Sequence, residues 1–263
     1  MKADLVTDIR AAAAAGFDFV EIWAAKLKEY LKLHSTTQLR ELFETNNVEP
    51  YSINSIERIT FRDSDEFATL VEECEELCRT AAEIGCPYIV VVPSPLPEDT
   101  DREEVIEESV RTLRDIAGVA KFHGISLAFE FLGQTDCSVP TLDLADEIVR
   151  QVDRANVGLV LDSFHFYAGG SNFESIRALD PDRLFIFHIN DAEDRPRTEL
   201  EDRHRLLPGL GILPLSEIVS ALREINYNRV ASVEIFRPEY WERDPFEIAS
   251  EAHAAAAKAV ELE

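Results

Sequence analysis

Lysine is scarce in this chain. Its 263 residues carry 51 acidic side chains against 26 basic ones, and only 6 of the basic set are lysines, arginine supplying the other 20. The net charge of -25 comes from acids spread along the whole chain rather than gathered in one tail. Such a field repels phosphodiester backbones, which argues against nucleic acid as a substrate. A diffuse acidic coat also keeps a protein soluble by self-repulsion, as halophiles use it, so a salt-rich cytoplasm is expected. Cysteine is sparse too. Cys74, Cys78, Cys86 and Cys137 form no CxxC pair, and Cys74 and Cys78, one helical turn apart, read as a packed helix face rather than a metal site. No apolar stretch reaches the ~18 residues of a membrane span, and no signal peptide is visible, so a cytoplasmic protein with reduced thiols and no membrane partner is expected. A Gly/Ser-rich or Pro-rich linker is missing as well, and the length suits a single domain over residues 1–263.

What the chain does contain is a regular alternation. Helical periodicity covers Asp4–Ala15, Gln38–Asn46, Phe67–Ile84, Asp101–His123, Thr141–Val152, Asn172–Leu179, Leu213–Ile225 and Pro245–Leu262, several of them stopped by glycine (Gly16, Gly85, Gly124). Between them lie short runs that read as strands: FDFVEIW, VEPYSIN, PYIVVVPS, ISLAFEF, VGLVLD, LFIFHIND and VASVEIF. Seven strands alternating with helices predict a parallel sheet with right-handed crossovers, and barrel closure is its natural completion. A long polar loop is expected from Ala192 to Gly211.

Four of these strands end in a chemically capable residue. ISLAFEF delivers Glu130, VGLVLD delivers Asp162, LFIFHIND delivers His188 and VASVEIF delivers Glu234. The intervals of 32, 26 and 46 residues put one group on each consecutive βαβ unit, which takes ~30 residues or more. In a closed barrel the four converge at the carboxyl ends of the strands, where barrel enzymes carry their chemistry. Two Glu, one Asp and one His make an oxygen and nitrogen ligand set suited to one divalent ion, Mn²⁺, Mg²⁺, Co²⁺ or Zn²⁺. Such an ion leaves positions for two adjacent oxygens of a hydroxy-ketone and stabilises the enediolate formed on proton loss. Glu130 and Glu234, on non-adjacent strands, then pass the proton as base and acid, which makes the reaction an isomerisation or epimerisation. His165 reads as a hydrogen-bond partner of a substrate oxygen, with a backbone-bonded loop histidine as the alternative. In DRHRLLPGLG, an arginine on a loop hinged by Gly209 and Gly211 could fork onto vicinal oxygens. Asp191, Glu193 and Asp194 read as solvated acids.

The segments NVGLVLDSFHFYAGGSN, FHINDAED, DRHRLLPGLG and SVEIFRPEYW resemble the xylose isomerase-like TIM-barrel superfamily of sugar isomerases and epimerases. Within it they look closest to the inosose isomerases of inositol catabolism, which interconvert 2-keto-myo-inositol and 1-keto-D-chiro-inositol. The resemblance implies a TIM (β/α)8 barrel, a small sugar or cyclitol substrate, and one divalent metal on Glu130, Asp162, His188 and Glu234. It also implies substrate contacts from His165 and Arg205, with Arg237 at the rim of the site, and a homo-oligomer, as the superfamily often forms. In two respects the chain departs from the pattern. Relatives open with a strand before the helix at Asp4, and this chain lacks it, so the strands flanking that position are expected to have open edges. Trp23 stands at the end of FDFVEIW where a polar group would otherwise touch substrate.

Three other functions share parts of these features. Dehydratases of inosose or dehydroshikimate use the same scaffold, metal and first proton abstraction. A sugar-binding barrel without turnover would keep the fold alone. An endonuclease would use the DxH of Asp202 and His204, but it also needs histidines after earlier strands, which SINS and VVPS do not supply.

Overall fold

A computed structural model describes residues 2–261. Seven strands form one sheet in chain order: β1 (Phe19–Trp23), β2 (Glu49–Ile56), β3 (Tyr88–Val91), β4 (Ser126–Glu130), β5 (Val157–Asp162), β6 (Leu184–His188) and β7 (Val230–Ser232). Every neighbouring pair is parallel. The connections run through α2 (Ala24–Leu31) and α3 (Thr36–Asn46), α4 (Ser64–Ile84), α5 (Arg102–Phe122), α6 (Leu142–Val152), α7 (Ser163–Ala168) with α8 (Phe173–Arg177), and α9 (Leu215–Glu224). Helix α1 (Leu5–Ala15) precedes β1, while α10 (Pro238–Trp241) and α11 (Pro245–Glu261) follow β7. The sheet curls on itself, so that Tyr51 on β2 donates its hydroxyl to the carbonyl of Phe185 on β6 across the interior. This is the expected TIM barrel, one strand short of closure.

Local sequence explains the element ends. Asp63 and Asp101 each cap the helix that follows through a reciprocal box with Glu66 and Glu104, so α4 and α5 begin where orphan N–H groups find carboxylates. Gly85 ends α4 at φ 77, in the left-handed region that glycine enters without strain. Strand alternation sorts the apolar residues into two layers. Val90, Ala128, Val160 and Ile186 fill the inside of the barrel, and Leu127, Phe129, Leu159, Leu161 and Phe187 pack outward against the helices.

Among the described residues, neither β1 nor β7 has a partner on its outer side. Helices α1 and α11 pack against each other over this seam, with the Phe17 ring edge-on to His253 at 5.0 Å. Beneath them lies a cavity of about 630 Å³, lined by Leu5, Phe19, Val233, Ile248 and Ala252 among others and running inward to Glu21 and Glu234. Among the described residues, the open edges that the sequence reading expected are present at β1 and β7.

Three elements differ from the sequence reading. Helix α2 follows β1 directly, with Trp23 at its N-cap and no side chain capping it, so no start signal marks it. Asp162 caps the six-residue α7, which the sequence reading ran on as loop. The last strand stops at Ser232, opposite the end of β6 at His188, its only ladder partner among the described residues. Glu234 therefore lies just beyond the strand that was expected to carry it. The loop after β6 is also more ordered than expected, folding back as a short antiparallel pair, Asp191–Ala192 against Arg205–Leu206.

Candidate metal centre

The inward faces of β4, β5 and β6 change from apolar to polar over their last two residues. Ala128, Val160 and Ile186 plug the barrel; one alternation later come Glu130, Asp162 and His188, all buried. Glu234 joins them from the segment after β7. One ligand atom from each of the four lies within 4.8 Å of the others. Nδ1 of His188 faces the acids, 3.1 Å from Glu130 Oε1, 3.5 Å from Glu234 Oε2 and 3.8 Å from Asp162 Oδ2. Three buried carboxylates and one imidazole, with no thiolate, are a donor set a divalent cation fits, since it would neutralise charges that burial otherwise penalises.

Asp162 and Glu234 are each held by specific partners outside the cluster. Asp162 Oδ1 accepts from the His165 backbone N–H at 2.8 Å, capping α7, while its Oδ2 accepts from Asn190 Nδ2 at 2.9 Å and Arg205 Nη1 at 2.6 Å. Glu234 Oε1 accepts from Asn54 Nδ2 at 2.7 Å, and its Oε2 from Arg205 Nη1 at 3.1 Å. Arg205 is itself buried. Its Nε donates to Asp202 at 3.1 Å, its Nη2 to His165 Nε2 at 3.0 Å, and its plane lies over the Phe164 ring. An arginine is always protonated, so His165 Nε2 accepts and Nδ1 carries the ring proton. That Nδ1 is a buried donor with no partner among the described residues.

The environment shifts the titrations in opposite directions. Burial alone would raise Asp162, but Arg205, His165 and His188 overcome it and hold the carboxyl at about 2. Glu234 goes the other way: burial, reinforced by the neighbouring Glu130 charge, outweighs His188 and Arg205 and lifts it to about 8. His188 is pushed down by burial but pulled up further by Glu21, Glu234 and Glu130, ending well above an ordinary histidine. For His165 burial dominates and the pKa falls.

The structure thus brings together Glu130, Asp162, His188, Glu234, His165 and Arg205. Arg237 points elsewhere: its Nη1 donates to Glu193 at 2.7 Å and its guanidinium lies 5.8 Å from the Tyr240 ring, at the edge of the site. Asp191 corrects the reading as a solvated acid. It is buried, and its two oxygens accept backbone N–H groups from Ala192, Gly209, Gly211 and Leu213 at 2.8–3.0 Å, pinning both limbs of the loop that carries Arg205. Gly211 is required there, because a Cβ would stand 2.1 Å from the Ala192 carbonyl. Glu193 is half-buried between Arg195 and Arg237, and Asp194 alone of the three is exposed.

Glu21, Asn54 and Asn190 were missed. A carboxylate in the middle of FDFVEIW, in phase with inward Phe19, was the available signal for Glu21. It reaches His188 Nε2 at 2.9 Å.

Comparison with known proteins places the fold. Residues 9–260 match the xylose isomerase-like TIM barrel model. The chain belongs to the xylose isomerase-like TIM barrel family. Within that family, it is 40% identical over 241 residues to the inosose isomerase of Bacillus subtilis (strain 168), covering 91% of this chain and 87% of that protein. The inosose isomerase of Halalkalibacterium halodurans is 37% identical over 242 residues, covering 92% and 86%. Among solved structures, the IOLI protein with a bound zinc atom superposes with a TM-score of 0.95 at 38% identity, covering 98% of this chain and 94% of that one.

Proposed function

We propose that this chain is a metal-dependent inosose isomerase, interconverting 2-keto-myo-inositol and 1-keto-D-chiro-inositol. One observation carries the reading: a buried Glu130–Asp162–His188–Glu234 cluster at the carboxyl ends of barrel strands, in a chain 40% identical to an inosose isomerase over 241 residues. A divalent ion held by these four would polarise the keto oxygen and offset the negative charge that appears as the neighbouring carbon loses its proton. Glu130 and Glu234 approach from β4 and from beyond β7, so they stand on different sides of the cluster. One would take the proton from the hydroxyl-bearing carbon and the other return one to the former keto carbon, while the hydroxyl proton passes to the former keto oxygen, so that the enediolate closes to the isomeric ketone with no net gain or loss of protons. The pKa of about 8 at Glu234 belongs to the metal-free cluster; as a ligand Glu234 would be ionised, so any proton it returns would be one taken from the substrate.

Two further groups fix the substrate in this reading. The unpartnered Nδ1–H of His165 would donate to a ring hydroxyl, satisfying a donor that is otherwise buried without a bond. Arg205 balances the acids and offers its guanidinium to the oxygens that gain charge. Arg237, tied to Glu193, would act from the rim. We also assign the protein to a salt-rich cytoplasm, from its net charge of -25 and its shortage of lysine.

The test is product identity. Protein loaded with zinc or manganese and incubated with 2-keto-myo-inositol should yield a new saturated keto-cyclitol by ¹³C NMR, with turnover abolished by EDTA and restored by metal. An ultraviolet-absorbing unsaturated product would make it a dehydratase instead. Binding without any conversion would make it a non-catalytic barrel.

A further inference from the structure

His188 offers two nitrogens, and only one faces the cluster. Its Nδ1 looks toward Glu130, Asp162 and Glu234, while Nε2 points away, to Glu21 Oε1 at 2.9 Å. Glu21 comes from β1, on the far side of the open seam, and its side chain is only 11% exposed. It is itself fixed: the Ser52 hydroxyl on β2 donates to its Oε2, and the Ser232 side chain on β7 also bonds it. Among the described residues, Glu21 is therefore the carboxylate paired with His188 that the ligand cluster does not use.

We propose that Glu21 is a positioning residue that dictates which nitrogen of His188 binds the metal. The inference rests on the metal reading of the cluster. An ionised carboxylate can only accept a hydrogen bond, so the imidazole proton must sit on Nε2 when Glu21 faces it. Nδ1 then presents its lone pair to the three acids. The 0% exposure of the His188 side chain sharpens the requirement, since without Glu21 its Nε2–H would be buried with no acceptor. The ring could then rotate, or exchange tautomer, and place a proton where the lone pair is needed. Carboxylates behind metal-bound histidines act in this way elsewhere, and losing one costs 10–100-fold in metal affinity. Because Glu21 itself sits on β1 and bonds Ser232 on β7, the same contact ties the cluster to both strands that border the seam.

The direct readout is the protonation pattern of His188 in zinc-loaded protein, from long-range ¹H–¹⁵N correlation, a measurement that needs no variant. Wild type should show Nδ1 bound to zinc and Nε2 carrying the proton. Glu21→Gln, which is isosteric but can donate as well as accept, should lower zinc affinity 10–100-fold against a competing chelator. Its cobalt-loaded form should have an altered visible spectrum while circular dichroism stays unchanged, and Glu21→Asp should recover part of the affinity. Zinc bound through Nε2 in wild type, or equal zinc affinity in wild type and Glu21→Gln, would overturn the proposal and leave the metal reading standing. Failure of wild type to take up zinc, manganese or cobalt would remove the metal reading and the proposal with it.

Discussion

Glu130 reaches the cluster from the end of β4 and Glu234 from just beyond β7, which does not neighbour β4, and in the proposed reaction that placement lets two carboxylates address two carbons of one substrate. Changing either to Gln keeps the shape and removes the proton transfer. Turnover of 2-keto-myo-inositol by Glu130→Gln or Glu234→Gln should fall ~10²–10⁴-fold with a smaller change in KM, as stopped-time NMR assays would show. An unchanged kcat in both would contradict the paired-carboxylate chemistry. Glu234 also links metal uptake to pH. Its pKa in the folded, metal-free protein, about 8, lies above the ordinary 4.5, so the favourable contribution of the protonated form is complete below 4.5 and is lost as pH rises through 8. A ligating carboxylate must give up that proton, and His188, also raised, must give up one as well. Zinc affinity should therefore climb from about pH 6 toward about pH 8, with proton release visible by calorimetry in buffers of different ionisation enthalpy. At this scale the sequence was legible where a polar residue ends an apolar strand, as at Asp162 and His188. At Glu21 the signal was weaker, a charge in the middle of a strand in phase with Phe19, which shows its face only once the neighbours that bury it are known.

Elements were readable where they carry their own punctuation. Helices α4 and α5 announce themselves through Asp63 with Glu66 and Asp101 with Glu104, and α4 ends at a glycine. Helix α2 has no side-chain cap, and α7 borrows as its cap the same Asp162 that faces the metal cluster, so neither shows an independent start in the chain. The loop from Ala192 to Gly211 looked polar and free because its organiser, Asp191, is an acid whose partners are all backbone N–H groups, invisible in a side-chain pattern. Asp191→Ala would leave four buried or half-buried N–H groups without that acceptor. The loss should be on the order of 3 kcal/mol in urea unfolding. Arg205, on the returning limb of the same loop, should lose its fixed position, so the variant's KM should rise even at temperatures where it remains folded. Wild-type stability and KM in Asp191→Ala would show that the loop is organised by other contacts.

The whole molecule is a barrel held shut by helices at one seam. Strands β3 to β5 have partners on both sides, whereas β1 and β7 do not, so the seam-facing amides of Val230–Ser232 should exchange with D₂O well before those of Leu127–Phe129. The opposite order would mean that α1 and α11 protect the seam fully. Zinc at a hundred times its Kd should raise stability by ~2.7 kcal/mol, since only the folded chain assembles the four ligands. The acidic coat acts over the same scale: with 51 acids against 26 bases, screening should raise the melting temperature between about 0.1 M and about 2 M KCl. The barrel class and the alternation were plain from the sequence. The seam between β1 and β7 was legible only as an open edge, because its depth depends on how α1 and α11 meet. The central claim is that this cluster abstracts a proton beside a ketone under metal control, and the most direct measurement is ¹H NMR of 2-keto-myo-inositol in D₂O with metal-loaded protein. Deuterium should enter next to the carbonyl, stop with EDTA and be lost in Glu130→Gln. Folded, metal-loaded protein that leaves those protons untouched would contradict it.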